Sequence, residues 1–260
     1  MNPRARLLTS SLLASRLLGG PTLGEPIRSP GLDYTLGDPG RPAEVPTLLI
    51  AVFDNSESVA SPAGSDPLSN RFAEVAEAFR VVARKGARHE LGMVLHFDTP
   101  TSGDVGPVPI TRRGLLTLRA GLRVPPDGAG SSELAPSLRR AVEIAEAYPD
   151  HAATLVVLSD YLLFDPELDQ VLGELASFPG DVHAVILGTR MPAGVLDQRI
   201  TVTSIGHDDP PGAVARALFA SLTTHRPGSR PTANDTPHRR SLSIPQRTSR
   251  AVRGESHGDA

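Results

Sequence analysis

Between Leu48 and Phe53 six consecutive side chains are apolar. A run of that length predicts a strand buried on both faces. A polar stretch rich in Ser and Pro follows (55–70), and then Phe72, Val75, Ala76, Phe79, Val82 and Ala83 recur at helical spacing. That spacing predicts an amphipathic helix, with Ser69 or Asn70 placed to cap it. Leu91 to Phe97 predicts a second strand and Val105 to Ile110 a short third, with a helix near 112–121. A Gly/Ser loop from Gly128 to Ser132 opens a helix whose apolar face is Leu134, Leu138, Ala141, Val142 and Ala145. Thr154 to Ser159 is the most hydrophobic strand. A helix at 166–177, strands at Val182 to Leu187 and Ile200 to Ile205, and a closing helix marked by Val214, Leu218 and Leu222 complete the pattern.

Strands alternating with helices predict an α/β fold: a doubly wound, mostly parallel sheet with helices on both faces. The pattern is confined to 46–224. Residues 1–45 carry repeated Gly and Pro with no sustained period and read as a flexible arm; residues 225–260 are rich in Arg, Ser and Pro and read as a disordered tail. In such sheets sites form at the carboxyl ends of strands. The residues after Phe53 and Ser159, and those in the loop before the helix at 132–147, are therefore expected to converge.

Composition narrows the chemistry. The 260 residues include 24 Gly and 25 Pro, and no Cys, which removes disulfides, thiolate zinc sites and cysteine nucleophiles together. Basic residues are almost all Arg, with Lys85 the one lysine; with abundant Ala, Gly and Pro this suggests a high-GC bacterial genome. The net charge of −3 is uneven: the stretch 46–224 holds 14 basic and 22 acidic residues, while 225–260 holds 7 basic and 3 acidic. An acidic core argues against nucleic acid as its ligand and suits cation capture. The absence of aromatic residues after Phe219 removes base-stacking platforms from the basic tail. The apolar stretch Leu7 to Leu18 is interrupted by Arg16 and lacks a clear cleavage site, and no run reaches the roughly 20 apolar residues of a membrane span. A cytoplasmic location is the expectation.

The three places expected to converge hold Asp54-Asn55-Ser56-Glu57-Ser58, Gly130-Ser131-Ser132-Glu133-Leu134, and Asp160. This set of carboxylates and hydroxyls suits Mg²⁺, Mn²⁺ or Ca²⁺ rather than zinc. With few carboxylates and several hydroxyls, such an ion keeps room for water and for a carboxylate from outside. Ordinary capping by Asp54, Asp160 and Ser132 is the competing interpretation.

Asp54-x-Ser56-x-Ser58 resembles the Asp-x-Ser-x-Ser signature of the metal-ion-dependent adhesion site (MIDAS) in von Willebrand factor A (VWA) domains. Ser132 matches the Gly-rich-loop Thr of that family, with Ser131 as its competitor, and Asp160 matches the final Asp. The resemblance covers about 46–224. It departs at Glu57 and Tyr161, where members often carry Gly. By resemblance, Ser56 and Ser58 coordinate directly, Asp54 and Asp160 act mainly through waters, and Ser132 does either. The resemblance also implies a non-enzymatic protein-interaction module in complex assembly, in which a partner's Asp or Glu completes the coordination of a bound Mg²⁺, Mn²⁺ or Ca²⁺. Bacterial intracellular members often work beside ATPases of the AAA+ type.

Two other readings compete. A metal-dependent phosphoester hydrolase would use Asp54 as nucleophile or base, but the second carboxylate that nucleophilic chemistry needs two residues on is Ser56 here. A domain of the same fold without metal would serve as a scaffold. His96 and His183 fall within strands and are expected to be hydrogen-bonded structural residues.

Overall fold

A computed structural model describes residues 34–60, 71–127, 130, 132–188 and 194–232. In chain order these form β1 (Gly37–Asp38), β2 (Thr47–Phe53), α1 (Glu57–Ala60), α2 (Arg71–Ala83), β3 (Glu90–His96), β4 (Val105–Pro109), α3 (Gly114–Gly121), α4 (Ala135–Ala147), β5 (Ala152–Ser159), α5 (Leu168–Ala176), β6 (Asp181–Leu187), β7 (Thr201–Ile205), α6 (Ala213–Thr223) and β8 (Arg230–Pro231). The six-stranded sheet has the order β4-β3-β2-β5-β6-β7. Its pairs are parallel except β3–β4, which is antiparallel. The exception has a simple cause: the link 97–104 contains no helix, and a parallel crossover needs a dozen or more residues.

The apolar run in β2 divides cleanly by parity, as a strand's alternating side chains require. Leu49, Ala51 and Phe53 enter one core with Phe79 of α2, Leu118 of α3 and Leu218 of α6. Leu48, Ile50 and Val52 enter the other with Leu138 and Ala141 of α4 and Leu175 of α5. Burial of both faces explains why β2 and β5 read as continuous apolar runs, and it fixes their register. Asp54 N donates to Leu158 O at 3.0 Å, which extends the β2–β5 ladder one residue past the strand.

The described fold includes residues on both sides of 46–224. Residues expected in the flexible arm and the tail form a second, two-stranded sheet, β1 against β8. A buried ion pair between Arg226 Nη1 and Glu90 Oε1 (2.6 Å) holds them to the base of the main sheet. Arg226 also donates to Pro39 O (2.8 Å) and Lys85 O (3.0 Å), and Glu90 accepts from Ala43 N (3.1 Å) and Ala87 N (2.9 Å). Two residues per strand leave no period for a sequence pattern to show. Residues 1–33 and 233–260, and the expected helix cap at Ser69 or Asn70, lie outside the described residues.

A second buried carboxylate joins α2 to α6. Glu74 accepts from Gly212 N (2.8 Å) and Ala215 N (3.1 Å), capping the α6 N-terminus from another helix. Gly212 has φ +91° and lies under the Tyr34 ring, which a Cβ would approach to 2.4 Å. Both the left-handed backbone and the close contact require glycine there.

Candidate functional site

The carboxyl ends of β2 and β5 lie side by side, so Asp54 and Asp160 leave neighbouring strands at one edge of the sheet. Asp54 is fully buried. Its Oδ1 accepts from Ser56 N (2.8 Å) and its Oδ2 from the Ser159 hydroxyl (2.6 Å). The first bond is an Asx turn, and it reverses the chain so that Ser56 O opens α1 by accepting from Val59 N and Ala60 N. The turn brings Ser56 Oγ to 3.0 Å from Ser58 Oγ. Asp160 repeats the device with Leu162 N (3.0 Å), and Ser159 Oγ accepts from Tyr161 N (2.8 Å).

Ser58 and Ser132 line one open cleft of about 560 Å³, together with Glu57, Gly130, Glu133 and Phe164. Ser132 does not cap α4. That helix has no side-chain cap of its own; the buried Asp165 carboxylate accepts from Leu134 N (2.9 Å) and Ala135 N (2.8 Å) instead. Ser132 O accepts from Phe164 N (3.0 Å), which ties the Gly/Ser loop to the segment after Asp160. Glu57 is solvent-exposed, and Ser131 lies outside the described residues.

Burial raises the Asp54 carboxyl above the ordinary aspartate range. Hydrogen bonds from Ser159 and Ser56 only partly offset this, and the negative charge of Asp160 adds to it. A cation bound beside the two carboxylates would reverse the sense of that electrostatic effect. The donor set fits a hard divalent ion. In octahedral magnesium coordination at 2.0–2.1 Å, neighbouring ligand oxygens lie about 2.9 Å apart, close to the Ser56–Ser58 separation of 3.0 Å. Among the described residues no cluster of three His, Asp or Glu side chains stands ready to hold an ion. Any ion here would therefore depend on hydroxyls and water.

Behind these residues is a buried network that sequence reasoning did not anticipate. Arg71, at the start of α2, donates through Nη2 to Asp54 O (2.9 Å) and to Asn55 Oδ1 (3.0 Å), and its guanidinium stacks 4.6 Å over the Phe72 ring. Asn55 Nδ2 donates to His96 Nδ1 (2.8 Å), and His96 Nε2 donates to Gly121 O (3.0 Å). Each partner fixes the next: Asn55 must present its amide nitrogen to His96, so His96 carries its proton on Nε2 and is neutral. Burial lowers the imidazole's pKa in the same sense. A charged side chain on the first turn of an apolar-faced helix was the available signal. His183, bonded to Ser221 Oγ (2.7 Å) and Thr203 Oγ1 (2.8 Å), is structural as expected.

Tyr161 stands at φ 59°, in the left-handed region that favours glycine, where the resembled family often has one. Its ring fills the core beside α4, and its buried hydroxyl has no hydrogen-bond partner among the described residues. Burial, with the Asp54 charge adding, pushes the phenol far up.

No family model and no curated protein sequence matches this chain. Solved structures do. The pilus adhesin SpaC of Lactobacillus rhamnosus GG aligns with a TM-score of 0.52 at 12% identity, over 71% of this chain and 31% of that one. A von Willebrand factor type A protein from Catenulispora acidiphila gives 0.49 at 14% identity, over 72% and 48%. Manganese-loaded TRAP of Plasmodium vivax gives 0.45 at 10% identity, over 73% and 76%. The chain thus spans half or less of the length of the first two, and identities this low speak to fold alone. Among the described residues no helix is long and apolar enough to cross a membrane. The fold is VWA-like: six mostly parallel strands between two helical layers, with the candidate site where β2 and β5 end.

Proposed function

We propose that this chain is a divalent-cation-dependent protein-interaction module without catalytic activity, built on a MIDAS of Asp54, Ser56, Ser58, Ser132 and Asp160. The observation that carries the reading is the Ser56–Ser58 hydroxyl pair, hydrogen-bonded at 3.0 Å beside the Asp54 turn, with Ser58 lining the open cleft. A bound Mg²⁺ or Mn²⁺ would supply an open coordination position for a partner's Asp or Glu. Ser56 and Ser58 would hold the ion, and Asp54 and Asp160 would orient waters around it. Ser132 would approach from the facing loop. The resemblance extends the reading to complex assembly in a bacterial cytoplasm beside an AAA+-type ATPase, whose chelator-sensitive co-purification tests that extension.

The hydrolase reading is weaker on the same geometry. A nucleophilic carboxylate needs an accessible oxygen, whereas Asp54 is fully buried with both oxygens engaged. Calorimetry of the full chain with MgCl₂ and MnCl₂ tests the proposal. Wild type should give binding heat, and Ser56→Ala should give none. Absence of both heat and thermal shift with either ion would leave a metal-free scaffold. Turnover of p-nitrophenyl phosphate, abolished by Asp54→Ala, would make the protein an enzyme.

A further inference from the structure

The segment after Asp160 alternates strictly between core and solvent. Tyr161 is buried, Leu162 is 54% exposed, Leu163 packs against the α4-side core, Phe164 is 77% exposed, and Asp165 is buried. Alternation of this kind normally places polar residues outward. Here the outward positions are Leu and Phe. The segment cannot simply fold these side chains inward, because its backbone is tied at Tyr161 N, Leu162 N and Phe164 N and its far end by the Asp165 carboxylate. Phe164 shares the cleft with Ser58 and Ser132, so its exposed ring adjoins the candidate ion ligands, with Leu162 exposed two residues before it. The same cleft carries the exposed carboxylates of Glu57 and Glu133.

We propose that the cleft takes a linear segment with a single Asp or Glu and a large aliphatic or aromatic side chain within two residues of it, and no second carboxylate; this rests on the cation-dependent reading above. Charge complementarity selects the segment. The ion accepts one carboxylate, and any further one meets Glu57, a like-charge approach that at 4 Å in water weakens binding about fivefold. In an extended segment residues two apart point the same way, about 6.5–7 Å from one another. One side chain can then reach the ion while its neighbour covers Leu162 and Phe164. Burial of an exposed phenylalanine makes Phe164→Ser roughly tenfold weaker, or more.

The test is selection of a random heptapeptide library on the full chain in excess Mg²⁺, eluted with EDTA. The enriched peptides should carry one acidic residue with Leu, Ile, Met or Phe within two positions. A Leu162→Ser/Phe164→Ser variant, altered only at exposed positions, should still enrich the acidic residue but lose the apolar one. Acidic peptides with random or polyacidic neighbours would overturn this inference and leave the cation reading standing. Peptides without a carboxylate, or peptides that EDTA does not release, would overturn both, as would no enrichment at all.

Discussion

Replacing Asp54 by Asn isolates the electrostatics of the site. The carboxylate is fully buried next to Asp160, and its folded-state pKa is raised, chiefly by burial. The folded protein therefore holds a proton on Asp54 at pH values where the unfolded chain has released it. The stabilising contribution is complete below the ordinary value of 3.8 and is lost as pH rises through the folded value. At neutral pH without cation, an ionised Asp54 weakens the fold. Asn keeps the acceptor for Ser56 N and presents its amide to Ser159 Oγ, so the turn survives without the charge. In EDTA at pH 7.5 the variant should melt at or above wild type, with the difference shrinking towards pH 4. Cation reverses the order. At a concentration 100-fold above its dissociation constant a ligand stabilises by about 2.7 kcal/mol, which for a domain of this size raises Tm by roughly 5–10 °C. Scanning calorimetry in EDTA and in excess Mg²⁺ should show that rise in wild type and none in Asp54→Asn. An equal rise in both proteins, or an Asn variant clearly less stable than wild type in EDTA at pH 7.5, would refute the reasoning.

Three further outcomes follow from the same structure. Arg226→Ala leaves Glu90 buried without its cation and should cost about 3–5 kcal/mol in urea denaturation, with the β1–β8 ribbon released in hydrogen exchange. Tyr161→Phe removes a buried hydroxyl that lacks a partner among the described residues and should stabilise the protein by about 1 kcal/mol; a loss of that size would show that the hydroxyl is satisfied. Burial lowers the His183 pKa to about 4, so NMR should find it neutral at pH 5. Because that folded value is depressed, the unfolded chain gains the proton first, and stability drains as pH falls from 6.5 towards 4.

Much of this was legible in the chain because burial writes a period. The apolar runs at 48–53 and 154–159 read as strands covered on both sides, and the parity split of β2 between two cores is the physical content of that reading. Asp54, Ser56, Ser58, Ser132 and Asp160 could be grouped because strand ends determine where loops meet. What could not be read depends on contacts between distant residues. Arg71 looks like any polar residue at a helix start until Asn55 and the Asp54 carbonyl close over it. Asp165 caps α4 from a segment 30 residues further along the chain, a role invisible to a local capping pattern. Leu162 and Phe164 sit among apolar neighbours, and only the fixed backbone separates the outward pair from Tyr161 and Leu163. The antiparallel β4 was similarly hidden, since its pairing follows from a short link rather than from composition.

The central claim is that Ser56 and Ser58 hold a divalent ion beside Asp54 and Asp160. A crystal of the full chain grown with manganese, measured for anomalous scattering, addresses it directly. The account expects a peak at the mouth of the cleft, about 2–2.5 Å from both hydroxyl oxygens. A well-ordered cleft with no peak there, or a peak only elsewhere on the surface, would contradict it.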